Sequence, residues 1–538
     1  MSKAVDMAKV SVRGGFHVMW GLVASTVIQA VGTVFIALLL GADNYGLYAI
    51  ALTAPSLIIL FRDWGVNFAM IRYTAQNNAE DKAANIRGIF MSGLIFEIAV
   101  GIVLSLIGFL LSDFLATNVF NRPTIVPLLQ IASFIILTSA LVNTATSAFT
   151  GVEKMHLNSL MLVSQSIIKT ALIIALVLMG LGTVGAITGF TVATLVAGLI
   201  GIMLMFTIYR SLPYPNGNGL EIGNNIKTML KYGLPLSLGG ILAGFLVQYY
   251  NFILYIFVLD NAIIGNLAMA QNFVVLITFF ATPVTTMLFP AFSKVDHRKD
   301  HETITNVFQI SVKYASLLVV PVAAMVLVLG QPAISTLFGD KYVEAPLFLA
   351  LLAIPYLYTI LGNLSIGSLI NGQGQTTFNL IVAVITVAIG FPLGFILISN
   401  YGVMGLIITT LVNYIPGIIV SLIYIKKRYD ISLQWESSAK ILLSSVAAAA
   451  LTYILISQFN FLSNLIQLII GIVIFALTYL LGIVLTRTFN NADINNLREM
   501  FTTLGPLRRL FNTVLNIIEK LMRKLGQTTG TTNNTPNE

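Results

Sequence analysis

FHVMWGLVASTVIQAVGTVFIALLL (16–40) runs without one Asp, Glu, Lys or Arg. A helix rises about 1.5 Å per residue, so roughly 20 apolar residues cross the hydrocarbon core, and this run is long enough. Lys3, Lys9 and Arg13 precede it. It is too long for a signal-peptide core and lacks a clear small-residue cleavage site, so it is expected to be an uncleaved first span.

The same pattern recurs outward from it. Further apolar segments fall at 47–71, 88–111, 124–149, 157–180, 185–209, 232–259, 265–290, 314–337, 345–370, 377–398, 402–425, 441–457 and 464–485, the next-to-last being short. The expected fold is an all-α polytopic membrane protein of about 14 transmembrane helices. Composition agrees: of 538 residues 57% are hydrophobic and 9% charged, against about a quarter charged in a soluble domain. A water-soluble globular protein is excluded. There is no cysteine, and the four histidines are scattered at 17, 156, 297 and 301. Disulfides, thiol nucleophiles and thiolate metal sites are therefore ruled out, and no metal site is expected.

Lysine and arginine collect in cytoplasmic loops. An inside N-terminus places 25 of the 29 Lys and Arg on the inner side, leaves Arg122 and Lys341 outside, and puts Arg62 and Lys169 within spans. Both termini are then cytoplasmic. The net charge of +8 follows from topology, without a nucleic-acid partner.

The first six spans can be laid over the next six. Arg13 matches Lys231, Gly46 matches Gly265, Phe120 matches Phe338, Pro127 matches Pro346, Asn143 matches Asn363 and Gly185 matches Gly405, at offsets of 218 to 220. Six spans restore the original orientation, so this is a parallel repeat about an axis along the membrane normal. The expected division is an N-lobe at 1–209, a Pro/Gly/Asn-rich cytoplasmic linker at 210–231, a C-lobe at 232–425 and two additional spans at 441–485. The lobes would enclose a central cavity. A cytoplasmic basic amphipathic region at 493–525 follows, then a disordered tail at 526–538. Within it, 507–525 places Leu507, Leu510, Phe511, Val514, Leu515, Ile518, Leu521, Met522 and Leu525 on one face and Arg508, Arg509, Lys520, Arg523 and Lys524 on the other. Such a helix suits the anionic inner leaflet; the alternative is packing onto the protein's own inner surface.

No Walker A loop, HExxH, GxSxG or dinucleotide fingerprint stands out. A secondary transporter or channel is expected, and the repeat favours the transporter. A charged side chain at a span centre costs roughly 2.5–3.5 kcal/mol, so each needs a partner, water or a function. Arg62 and Asp63 fall near the inner end of the second span. Glu97 and Lys169 fall near mid-membrane. One reading gives Arg62 and Lys169 a cationic cavity wall for a phosphate or pyrophosphate, with Glu97 or Asp63 binding a coupling proton or sodium ion. The other pairs Glu97 with Lys169 and sends Arg62 to the inner interface beside Asp63. Arg13 and Lys231 would flank the inner mouth, attracting an anion or simply anchoring the spans. Gln29, Gln130, Asn143, Gln165, Gln248, Tyr249, Tyr250, Asn251, Tyr255, Gln271 and Asn272 are candidate cavity lining; hydrogen bonds between helices explain most of them equally well. No cofactor is expected beyond coupling H+ or Na+. Prolines at 235, 283, 321, 355, 392 and 416, against Pro55 alone in the first half, anticipate a more kinked second half.

LLLGADNYGLYAIAL (38–52), FRDWGVNFAMIRY (61–73), LFGDKYVEAPLFL (337–349), NGQGQTTFNL (371–380) and YGVMGLII (401–408), in this order and spacing, resemble the polysaccharide-transporter branch of the multidrug/oligosaccharidyl-lipid/polysaccharide exporter superfamily, over about residues 10 to 485. The resemblance implies two six-helix bundles around a cationic cavity and alternating access by rocking lobes. Its cargo would be a lipid-linked oligosaccharide flipped to the outer leaflet. It also implies two extra spans near the lipid tail. Glycan-assembly enzymes in a prokaryotic plasma membrane would be the setting. A cation-coupled drug exporter of the same fold is the first alternative. A membrane glycosyltransferase acting on lipid-linked sugar is the second, ranked last because the outer loops reach only about a dozen residues.

Overall fold

Inside a bilayer no water bonds the backbone, so an apolar run must satisfy its own N–H and C=O groups, and it does so as helix. In the computed structural model the chain is 90% helical, with no strand among the described residues. Described are residues 3–80, 82–214, 220–294, 300–459, 461–501 and 507–524, apart from the side chains of 3–20, 243, 279–291, 293–294, 376, 491–492, 499–501 and 507–511. The Arg13 side chain, linker residues 215–219 and the tail at 526–538 lie outside them.

The order is α1 (Lys3–Ile59), α2 (Val66–Ala79), α3 (Ala83–Phe114), α4 (Val126–Gly151), α5 (Met155–Leu176), α6 (Gly182–Ser211), α7 (Ile222–Phe257), α8 (Asn261–Lys294), α9 (His301–Phe338), α10 (Ala345–Ala353), α11 (Asn363–Gly372), α12 (Thr376–Tyr429), α13 (Trp435–Gln458), α14 (Asn464–Leu485), α15 (Asn491–Phe501) and α16 (Leu507–Lys524). Among the described residues nine helices are long and apolar enough to cross a membrane, or eleven when two bent pairs each count as one span. The chain is a multi-pass membrane protein. Both bent pairs lie in the second half: Ile222–Leu242 with Gly244–Phe257 at 44°, and Ala345–Leu361 with Asn363–Gly372 at 51°. They contain Pro235 and Pro355, and the second bend follows a 3-10 stretch over Ile354–Leu361.

One reversal is repeated almost angle for angle. Gly182 has φ 49 and ψ −132, and Gly402, 220 residues later, has φ 54 and ψ −127. A side chain is nearly forbidden in that region, so the same glycine turn was required twice. The second span departs from expectation. Instead of one helix over 47–71, the chain leaves α1 at Ile59 and resumes at Val66. Trp64 and Gly65 adopt left-handed backbone, and the Asp63 carboxylate accepts the Asn67 N–H at 2.8 Å, capping α2.

The chain forms two compact units. In the first, covering 1–273, 340–345 and 379–417, α4 packs between α3 and α6 while α1 lies along α5. Its inner cluster joins Met70, Phe90, Phe149, Met161 and Met205. In the second, α9 is central, packed on α13, α14 and the 3-10 stretch. Lys313 on α9 meets Asp493 at 2.6 Å, Tyr314 donates to the same carboxylate at 3.1 Å, and α15 is thereby pinned to α9. α16 folds against α14 and α15, burying Leu515, Ile518 and Met522 to 3%, 3% and 1% exposure. The described part of its apolar face is thus covered by protein, not presented to a leaflet, because α15 supplies a nearer apolar partner. Lys520, Arg523 and Lys524 remain exposed.

Gly402→Ala is expected to cost about 1–3 kcal/mol through backbone strain, lowering the thermal midpoint of detergent-purified protein. Gly239→Ala, with a helical backbone and open space around it, should lose nothing; equal midpoints for both variants would contradict the account of the turn.

Candidate functional site

The break after α1 carries a charge inward. Arg62 is 1% exposed and Glu97 fully buried, with Arg62 Nε 2.9 Å from Glu97 Oε2. Arg62 Nη1 also donates to Ser139 Oγ at 2.6 Å and to the Ile136 carbonyl at 3.2 Å. Asn67, on the first turn of α2, donates to Glu97 Oε1 at 2.9 Å. Burying one unpaired charge is costly, whereas a pair with its remaining groups hydrogen-bonded is tolerable. The expected pairing of Glu97 with Lys169, with Arg62 reaching the inner interface, is therefore corrected. Glu97 lies 14 residues past Ala83, the start of α3, or roughly 21 Å along that helix. Arg62 sits at that depth because α1 stops short and turns it inward. Asp63 caps α2.

Lys169 takes no part in the ion pairs among the described residues. Half-buried on α5, its Nζ donates to Gln29 Oε1 at 3.1 Å and lies 5.1 Å from the Phe190 ring centre. Gln29 in turn donates to Ser166 at 3.1 Å. An amide and a ring face orient an ammonium without neutralising it.

Between the two cations lies a cavity of about 200 Å³ walled by α1, α4, α5 and α6. Ser139, the Arg62 partner, lines it, as do Phe190 beneath Lys169, Gln165, Ser56, Thr194 and Pro55. Pockets for drug-sized ligands run to about 300–1,000 Å³. This one holds a phosphate-sized group with a few waters, not an oligosaccharide. Ser139, Asn67, Phe190 and Thr194 escaped the sequence reading, which looked only for charges and large polar groups.

Other expected lining residues are committed elsewhere. Tyr249 stacks on Phe391 at 4.4 Å and donates to its carbonyl at 3.1 Å. Asn251 accepts from Gln271 at 3.2 Å. Asn272 donates to Tyr45 Oη at 3.1 Å. Gln248 is half-buried, and Lys231 is exposed on α7.

A family model described as "Polysaccharide biosynthesis protein" matches residues 11–296. A probable low-salt glycan biosynthesis flippase, Agl15 of Haloferax volcanii, is 22% identical over 50% of this chain, and the match spans 55% of the relative's own length. An uncharacterised membrane protein of Methanocaldococcus jannaschii is 20% identical over 84% of this chain and 91% of its own. Among solved structures, the lipid II flippase MurJ in an inward closed conformation superimposes with a TM-score of 0.67 at 15% identity, covering 86% of this chain and 97% of that one. An inward-facing multidrug resistance MATE transporter gives 0.61 at 15% identity, covering 75% and 94%. These relatives are carriers, and the fold they share with this chain is a carrier fold.

Arg62→Ala or Glu97→Ala, each stranding one buried charge, should cost about 3–5 kcal/mol in denaturant unfolding of the detergent-solubilised protein. The Arg62→Met/Glu97→Met double variant should lose less than either. A double variant that loses the sum of both would contradict the pairing.

Proposed function

Because the chain belongs to the polysaccharide biosynthesis protein family, we infer that it is a flippase, moving a polyprenyl-phosphate- or pyrophosphate-linked oligosaccharide from the inner to the outer leaflet by alternating access, a carrier and not an enzyme. Lys169 is the observation that carries this reading: a half-buried ammonium beside a phosphate-sized cavity, turned toward an amide and a ring and without a carboxylate partner among the described residues. It takes the phosphate as a point charge. Arg62 is the second cation, reached through Ser139, and it becomes available only when its pair with Glu97 opens. A phosphate arriving there displaces Glu97, and a carboxylate left buried without its counter-ion takes up a proton. Glu97, with Asp63 the nearest other acid, is thus the coupling site for a proton, with sodium the alternative ion.

The topology of the reading is fourteen spans, with lobes at 1–209 and 232–425 and the linker, Arg13, Lys231 and both termini on the cytoplasmic side. Three of the eleven apolar spans contain a glycine break, at Gly41, Gly182 and Gly402, and dividing each there supports fourteen. The exposed Lys520, Arg523 and Lys524 of α16 favour electrostatic contact with an anionic inner leaflet over insertion. The setting is a prokaryotic plasma membrane, beside the enzymes that assemble the glycan. A second reading, a cation-coupled exporter of small organic molecules, draws on the MATE-like fold and on the buried acid Glu97.

The test is reconstitution into liposomes with a fluorescent polyprenyl-pyrophosphate oligosaccharide, scoring outer-leaflet appearance with and without a proton or sodium gradient. Wild type should move it. Lys169→Ala, losing a charge-assisted bond of about 1.5–3 kcal/mol, should slow it about ten- to a hundredfold at equal protein insertion. Efflux of a cationic dye without lipid movement would select the exporter instead.

A further inference from the structure

The two cations that the charge bias leaves outside, Arg122 and Lys341, are 219 residues apart, the spacing of the internal repeat. Arg122 follows α3, is 7% exposed, and reaches across to the end of α7. Its Nη1 donates to the Tyr255 carbonyl at 2.8 Å, its Nη2 to the Val258 carbonyl at 2.7 Å and its Nε to Asn261 Oδ1 at 2.8 Å. Lys341, following α9, donates to the Leu38 carbonyl of α1 at 2.8 Å, and its neighbour Tyr342 donates to Ala37 at 2.9 Å. The helix of α1 breaks at Gly41 and α7 ends at Phe257, so both cations sit where a helix leaves its last carbonyls unpaired and its dipole negative. Each half of the repeat thus supplies a cation that closes the end of the first membrane helix of the other half.

The backbone between them obeys the same reciprocity. A Cβ on Gly46 would overlap the Asn261 carbonyl, and a Cβ on Gly265 would overlap the Ala42 carbonyl. Gly46 and Gly265 are repeat equivalents, and so are Ala42 and Asn261. Nothing larger than glycine lets α1 and α8 approach this closely. The tie is made mostly of hydrogen bonds to main-chain oxygens, with no carboxylate and no interlocked large side chain, so it parts without stranding a buried acid.

We propose that Arg122, Lys341 and the Gly46–Gly265 crossing are the outer gate of the carrier: a two-fold latch, shut in this structure, that must part for cargo to leave. The two cations are positioning residues that set the balance between shut and open. The assignment to the outer face rests on the topology given under Proposed function; the latch itself is testable without any substrate.

The absence of cysteine makes single-cysteine reporters free of background. Ala268→Cys places a thiol one turn beyond the crossing on α8, at a position 6% exposed. Asn118→Cys places one on the exposed turn after α3, accessible whether the gate is shut or open. A membrane-impermeant maleimide applied to intact cells should label Asn118→Cys fully and Ala268→Cys poorly. Adding Arg122→Gln with Lys341→Gln should raise Ala268→Cys labelling several-fold and leave Asn118→Cys unchanged, and Arg122→Lys should keep labelling low. Unchanged Ala268→Cys labelling in the folded double variant would overturn the gate. An unlabelled Asn118→Cys would overturn the topology instead, and labelling of inverted vesicles would then place the same latch on the inner face. Should the double variant fail to accumulate, Gly46→Ala reads the same contact by wedging the crossing apart: several-fold more labelling is expected, and no increase overturns the proposal.

Discussion

A guanidinium and a carboxylate shut away from water have to be brought together by something, and much of the first half of the chain is arranged around doing so. Had the second span run straight, Arg62 would have lain near one end of the bundle and Glu97 halfway along its neighbour. The interruption between Ile59 and Val66 shortens one helix, turns Arg62 inward and starts α2 with Asn67 already in reach of the same carboxylate. Ser139 and the Ile136 carbonyl complete the cradle from α4. Ser139 is also where that charge network meets the cavity.

The spans were legible because hydrocarbon thickness and helical rise allow few other readings of long uncharged runs. The repeat was legible for a different reason: tight turns and close crossings demand glycine, so Gly46, Gly185, Gly265 and Gly405 mark the architecture even where the surrounding residues have drifted. What escaped was local. The left-handed backbone at Trp64 has no signature in an average over twenty residues, and without that break Arg62 could only be placed at the wrong depth. Partners such as Ser139 are common residues that become informative only once a guanidinium points at them. The apolar stripe of α16 was visible as a stripe, but amphipathicity states that a face is covered and not by what. α15, brought close because Asp493 ties it to Lys313, decides that.

The repeat is preserved in scaffolding and lost in chemistry. The positions equivalent to Arg62, Glu97 and Lys169 in the second half are Ala281, Ser316 and Ala388, none of which carries a charge. Arg122 and Lys341, by contrast, keep both charge and direction. A duplicated bundle needs its two halves to meet symmetrically if they are to rock against each other, whereas an anion site need be built only once. The second half has drifted toward proline-bent helices, and the first has kept the ions.

The connections at the end of the bundle that holds Arg122 and Lys341 are very short. The chain reverses there at the single residue Gly41, around Gly180 and Gly182, at Gly402 and over the three residues between α7 and α8. A protease must draw an extended strand into its cleft, and turns this tight offer none unless a helix first unravels. Digestion from that side should therefore leave the chain whole, and an antibody raised against that face would have to recognise a shape and not a stretch of sequence.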